Sequence, residues 1–166
     1  EGLPGRTTVW ADPIEGVYKN GHACLPACLE THAPIDLVIL LLGTNDLKKR
    51  FSLSPMDVAR GNATLLATIA HCDAGPDGGP PPVLLLAPPP VARLSLFAEI
   101  FEGAPEKSRR LGPHYRDVAA EYGCAFIDTA EGIVSSDIDG IHFDVEEHRK
   151  LGTRVAQEVA RILPPG

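Results

Sequence analysis

Residues 40–49, LLLGTNDLKK, end the apolar run IDLVILLLG (residues 35–43) in four small or polar residues, Gly43, Thr44, Asn45 and Asp46. Six consecutive apolar side chains at residues 37–42 show no alternation, which is the pattern of a strand buried on both faces. Residues 83–87 (VLLLA) and 125–127 (AFI) read the same way. Helical patterns separate and follow these runs. SPMDVARGNATLLATIAH (residues 54–71) opens with Ser54 as N-cap, Pro55 at the first helical position and Asp57 near the positive end of the dipole. Around residues 107–122, Leu111, Tyr115, Val118 and Tyr122 form a stripe, and Pro113 predicts a kink or a late helix start. Residues 144–163 place Leu151, Val155, Val159 and Ile162 at helical spacing, with Pro-Pro-Gly as the stop.

Strands alternating with helices predict an α/β fold, a three-layer sandwich around a parallel sheet. AGPDGGPPP (residues 74–82) reads as a loop inside one domain spanning residues 1–166, because the pattern resumes directly after it. In such sheets a ligand sits beyond the carboxyl ends of the strands, which is where residues 43–46 fall.

The totals narrow the function. A length of 166 residues with 44% hydrophobic side chains supports a single core. A formal charge of -7 argues against a nucleic-acid partner, which needs clustered Lys and Arg. The longest apolar run is strand-sized, so no membrane span is expected. The four cysteines, Cys24, Cys28, Cys72 and Cys124, read as buried free thiols. HACLPAC (residues 22–28) offers His22, Cys24 and Cys28 but no fourth ligand for a metal, so no metal site is expected.

Two short motifs carry chemistry. In Gly43–Asp46, an Asn amide can donate to a developing oxyanion, although Gly, Asn and Asp also serve any ordinary strand exit. In DGIHF (residues 139–143), a turn across Gly140 can set the Asp139 carboxylate on one ring nitrogen of His142. The other nitrogen is then left to take a proton from a nucleophile; the alternative is a plain Asp-Gly turn. A third stretch, EGLPGRTT (residues 1–8), places Gly5 where a bare backbone N–H could face a site, or where loop chemistry alone would put it.

Taken in order, EGLPGRTT, LLLGTNDLKK and DGIHFDVEEHRKLG resemble the GDSL or SGNH hydrolases, in particular their small arylesterase and acyltransferase branch. The resemblance covers nearly the whole chain. It implies a flavodoxin-like sheet carrying a serine esterase site that needs no cofactor. Carried over by motif, Gly5 and Asn45 would be oxyanion-hole donors through the backbone N–H and the side-chain amide, and Asp139 and His142 the pair that activates the nucleophile. Asp46 would tie its loop down. The expected partners are a small ester, with water or an alcohol as acyl acceptor.

The family's nucleophile lies in a Gly-Asp-Ser block on the first strand, and no Gly-Asp-Ser occurs here. Ser52, Ser54, Ser95, Ser108, Ser135 and Ser136 lie in none of the family's serine contexts, so no nucleophile is assigned within the chain. EGLPGRTT follows the family's second strand, so the expectation is that a strand, helix and strand precede Glu1 and supply the serine. Without them, residues 37–42 form an apolar sheet edge open to another chain, either a separate N-terminal segment or a second copy in a homo-oligomer. The competing reading is a non-catalytic, degenerate hydrolase-fold interaction protein.

Overall fold

The computed structural model describes residues 2–163. Glu1 and the Pro-Pro-Gly stop expected at residues 164–166 lie outside the described residues. Three strands, β1 (Val38–Leu40), β2 (Val83–Ala87) and β3 (Ala125–Asp128), form a parallel sheet in the order β1-β2-β3. Val38 pairs with Val83 across one ladder, and Leu84 with Ala125 across the other. The central strand is apolar throughout because both its faces are covered. Leu84, Leu85 and Leu86 are at most 1% exposed, and each such burial stabilises the fold by about 2 kcal/mol.

Five helices accompany the sheet: α1 (Gly21–His32), α2 (Pro55–Ala70), α3 (Ala104–Ser108), α4 (Leu111–Tyr122) and α5 (Val145–Ile162). Helices α2 and α4 pack together on one face, where Val58, Leu65, Leu66, Leu111, Tyr115 and Val118 meet Leu40, Leu85 and Ala87. Helix α5 covers the other face, laying Leu151, Val155 and Ile162 against Leu84, Leu86 and Ile127. The result is the three-layer α/β sandwich that the alternation of elements predicts.

Local signals account for the helix ends. Ser54 Oγ accepts from the Asp57 N–H at 3.1 Å while the Asp57 carboxylate accepts from the Ser54 N–H at 2.9 Å, a reciprocal cap that starts α2. Pro113 sits in the first turn of α4, so the helical stretch divides into α3 and α4 and the proline costs no interior hydrogen bond. Helix α1 departs from the sequence reading, which assigned residues 22–28 no element. It runs through Pro26 because Asn20 Oδ1 accepts from the Ala23 N–H at 3.2 Å and because the Thr7 and Thr8 carbonyls accept from the Gly21 and His22 N–H groups.

Two further expectations need correction. The first strand is shorter than residues 37–42, because only Val38–Leu40 finds ladder partners on β2. The four cysteines form no disulfide among the described residues, and they are half-buried rather than buried. Strand β1 is an edge of the three-stranded sheet, and Ile39 on it is 47% exposed. Beside it runs an apolar groove lined by residues 37–42 together with Cys24, Leu25 and Cys28 of α1.

Candidate active site

The polar turn after β1 is held from beneath. The Tyr115 hydroxyl donates to the Leu42 carbonyl at 2.7 Å and accepts from the Asn62 amide at 2.9 Å, with both side chains fully buried. Gly43 has φ +130 and passes so close to this hydroxyl that a Cβ there would collide with it. Burial, and then the nearby Asp46 carboxylate, push the Tyr115 hydroxyl well above its ordinary pKa, so it remains a proton donor. The chain leaves the strand at one fixed angle and enters a short 3-10 turn, Asn45–Leu47.

Asp46 does what the resemblance assigns to it. It is fully buried, and its two carboxylate oxygens each lie 3.1 Å from the Thr8 N–H, with a further short bond from the Thr8 hydroxyl. Burial dominates its titration and raises it to about 6 in spite of these bonds. Asp46 thereby fastens the turn carrying Asn45 to the segment carrying Gly5. Gly5 has φ +79, a left-handed conformation that favours glycine, and a Cβ there would lie 2.5 Å from Glu15 Oε2.

The base pair forms by purely local means. Asp139 Oδ1 accepts from the backbone N–H groups of Ile141 at 2.8 Å and His142 at 2.9 Å, while Oδ2 lies 2.7 Å from His142 Nδ1. Partial burial alone would raise the Asp139 carboxyl, but the hydrogen bonds from His142 and Ile141 outweigh it and hold the group below the usual carboxylate range. With Nδ1 engaged, Nε2 of His142 is the nitrogen left for proton transfer. The His142 side chain is 70% exposed and the Asp139 side chain 15%.

The turn is stitched to the loop after β2. Ala92 N–H donates to the Gly140 carbonyl at 2.8 Å, Ser95 Oγ to the Ile138 carbonyl at 2.6 Å and Ser135 Oγ to the Pro90 carbonyl at 3.0 Å. Phe97 meets the His142 ring edge-on, with centroids 6.2 Å apart.

Gly5, Asn45 and His142 all line one open cavity of about 460 Å³ at the carboxyl end of the strands. Asp139 stands directly behind the imidazole. Pro88, Pro89, Phe97, Ile100 and Phe101 wall the cavity, so the loop after β2 contributes to the pocket. None of the six serines lines it. Ser54 caps α2, Ser108 Oγ accepts from the Val91 N–H at 2.9 Å, and Ser136 Oγ accepts from the Ile138 N–H at 3.2 Å. Among the described residues no group of three or more His, Cys, Asp or Glu is placed to hold a metal ion, and no helix is long and apolar enough to cross a membrane.

One part of the site went unread in the sequence. Lys48 and Glu15 also line the cavity. Lys48 Nζ lies 2.7 Å from Glu15 Oε1 and 3.4 Å from Asp12 Oδ2, and Arg50 Nη1 lies 2.9 Å from Asp12 Oδ1. Asp12 is fully buried. Its burial works against ionisation, but the N–H groups of Glu15 and Ile14 and the Arg50 guanidinium outweigh that and hold its pKa down to about 2. The only signal available was the pair Lys48 and Arg50 just after the GTND turn, and nothing in the spacing pointed to acids more than thirty residues earlier.

Comparison with known proteins places the chain in a family. The profile of the GDSL-like lipase/acylhydrolase family matches residues 1–150. Among curated proteins there is no match. Among solved structures, a carbohydrate acetylesterase from Sinorhizobium meliloti is 37% identical, with a TM-score of 0.93 over 98% of this chain and 77% of that one. An aryl esterase from M. smegmatis is 38% identical, with a TM-score of 0.92 over the same shares. A GDSL-like lipase from Bacteroides thetaiotaomicron, at 16% identity and a TM-score of 0.74 over 98% and 75%, shares the fold. On the match over residues 1–150 and these likenesses, the chain belongs to the GDSL-like lipase/acylhydrolase family and is, at the level of that family, a carboxylic-ester hydrolase of the SGNH type.

Proposed function

We propose that this chain supplies the general base and two of the oxyanion donors of a serine esterase acting on small carboxylic esters through an acyl-enzyme. The observation that carries the reading is the opening of Gly5, Asn45 and His142 onto one cavity, with Asp139 bound to the far side of the imidazole. The attacking hydroxyl belongs to a serine preceding Glu1, reaching the cavity alongside β1, whose outer flank has no paired strand among the described residues.

In the first half-reaction the serine oxygen attacks the ester carbonyl carbon as its proton passes to His142 Nε2. The carbonyl electron pair moves onto oxygen, where the Gly5 N–H and the Asn45 amide stabilise it, each by roughly 3 to 4 kcal/mol. Collapse of this intermediate expels the alcohol, which takes the proton from His142. Water or a second alcohol then attacks the acyl-enzyme, gives its proton to His142, and the departing serine oxygen recovers it. Asp139 stays ionised and steadies the imidazolium in both halves.

The 460 Å³ cavity and its Phe and Pro walls suit a short acyl chain with an aromatic or other compact leaving group. The relatives named as an aryl esterase and a carbohydrate acetylesterase favour acetate esters as the first substrates to try.

Turnover of p-nitrophenyl acetate by the full-length protein, together with covalent labelling by a serine-directed phosphonate, tests the reading. Hydrolysis and labelling that both survive His142→Ala would overturn it. A second reading, a non-catalytic interaction protein, is favoured by one observation, that no serine lines the cavity. It predicts neither turnover nor labelling in the full-length protein, whose sequence before Glu1 would then lack the Gly-Asp-Ser block.

A further inference from the structure

A carboxylate beside an oxyanion hole opposes the reaction that the hole promotes. Glu15 stands in that position. Its Oε2 lies where a side chain on Gly5 would begin, and Glu15, Gly5 and Asn45 share the wall of the cavity. Asp12 lies just behind, fully buried and held as an anion by its backbone and Arg50 contacts. One carboxylate therefore stands beside the place where a further negative charge develops, with a second buried behind it. At such short range the repulsion between like charges is felt even in a partly solvated site.

Lys48 is the counterweight. Its side chain is 3% exposed, and its ammonium sits between the two acids, 2.7 Å from Glu15 and 3.4 Å from Asp12. Arg50 completes the group from the outer side, 2.9 Å from Asp12 and 3.5 Å from Glu15. Two acids and two bases cancel. The position of Lys48 in the chain matters as well, because its N–H donates to the Asn45 carbonyl at 3.3 Å at the end of the same 3-10 turn. One short turn thus presents an oxyanion donor and the cation that neutralises the acids next to it.

We infer that Lys48 is an electrostatic positioning residue of this site, acting through Glu15 to keep the carboxylate pair from repelling the oxyanion formed beside Gly5 and Asn45. The inference rests on the esterase reading and goes beyond it in assigning Lys48 and Glu15 opposite effects on the same step. A lysine that merely braced the loop would make both residues helpful, since removing either would break the same ion pair.

The test measures kcat and KM for p-nitrophenyl acetate in the full-length protein, well below the melting temperature of each variant, with Asn45→Ala as a control on the esterase reading. Lys48→Met is expected to lower kcat about tenfold or more with KM nearly unchanged, and Lys48→Arg to keep most of the activity. Glu15→Gln is expected to raise kcat about two- to threefold, and Lys48→Met combined with Glu15→Gln to recover much of the loss. A fall in kcat for Glu15→Gln overturns the inference and leaves a simple brace. So does an unchanged kcat for Lys48→Met while Asn45→Ala collapses it. If Lys48→Met fails to fold, the sign of the Glu15→Gln effect still decides. An unaffected Asn45→Ala removes the esterase reading, and this inference with it.

Discussion

The two halves of the site are built on opposite principles. On one side, the turn after β1 and the segment at residues 5–8 are locked into the interior by Asp46, Thr8, Tyr115 and Asn62, all fully buried. On the other, the Asp139–His142 pair rides a surface turn with its imidazole 70% exposed. Under the proposed function, the difference follows from what each half has to do. Oxyanion donors work only when aimed in advance, because a donor that must reorient during the reaction gives back what it contributes. A general base must meet solvent, substrate and leaving group in turn, so it needs one fixed hydrogen bond behind it and freedom in front.

This contrast has a measurable form. Substitutions on the exposed half should change activity and spare stability, whereas those on the buried half should change both. The largest effect is expected for His142→Ala, with kcat down about 10⁴-fold or more and an unfolding free energy within about 0.5 kcal/mol of the parent. Asp139→Asn should fall in the same range of activity by leaving the ring in the wrong tautomer. A large loss of stability in His142→Ala would break the comparison.

On the buried half, Asn45→Ala should lower kcat about 10²- to 10³-fold with little change in KM, measured by steady-state kinetics with p-nitrophenyl acetate. Asp46→Ala strands the Thr8 N–H and hydroxyl in the interior. Urea titration should show a loss of about 2 to 3 kcal/mol, with activity falling as the Gly5 segment comes loose. Tyr115→Phe removes the hydroxyl that anchors Leu42 and should cost about 1 to 2 kcal/mol in the same titration. Equal stability of Tyr115→Phe and the parent would show that the turn is held by Asp46 alone.

The last effect concerns pH. Asp46 titrates near 6 in the folded protein, above the value of about 3.9 expected once unfolded. Between those values the folded state holds the extra proton, so the contribution of Asp46 to stability falls as pH rises from about 4 to about 6 and is flat above. Asp12, held down to about 2, has the opposite sign. Its contribution is in place above about pH 4 and is lost as pH falls towards 2. Unfolding free energies of the parent and of Asp46→Asn, compared from pH 4 to 7, should diverge in slope only below about pH 6. Parallel profiles would mean that Asp46 is not the titrating group.

How much of this was legible depended on how far apart in the chain the cooperating residues lie. The Asp139–His142 contact spans three residues and is closed by a turn, so the motif itself contains the geometry. The α2 cap between Ser54 and Asp57 is equally local. That residues 87–103 wall the pocket depends on what faces this loop, which no local pattern carries. Helix α1 escaped notice because Pro26 argues against a helix locally, and the contacts that hold it come from residues 7 and 8. The Asp12, Glu15, Lys48 and Arg50 cluster escaped for the same kind of reason, since its acids and bases stand more than thirty residues apart.

By itself, then, the sequence determined the class of fold, through continuous apolar runs alternating with helical patterns, and the local contact of Asp139 with His142, which a turn of three residues closes. The tertiary structure decided which polar residues share one cavity, that Asp46 welds the turn after β1 to the segment at residues 5–8, and that a buried lysine stands between two acids. These are contacts between distant segments, fixed by the packing of helices on a sheet, and the order of residues along a chain carries no distance between such segments until the chain has folded.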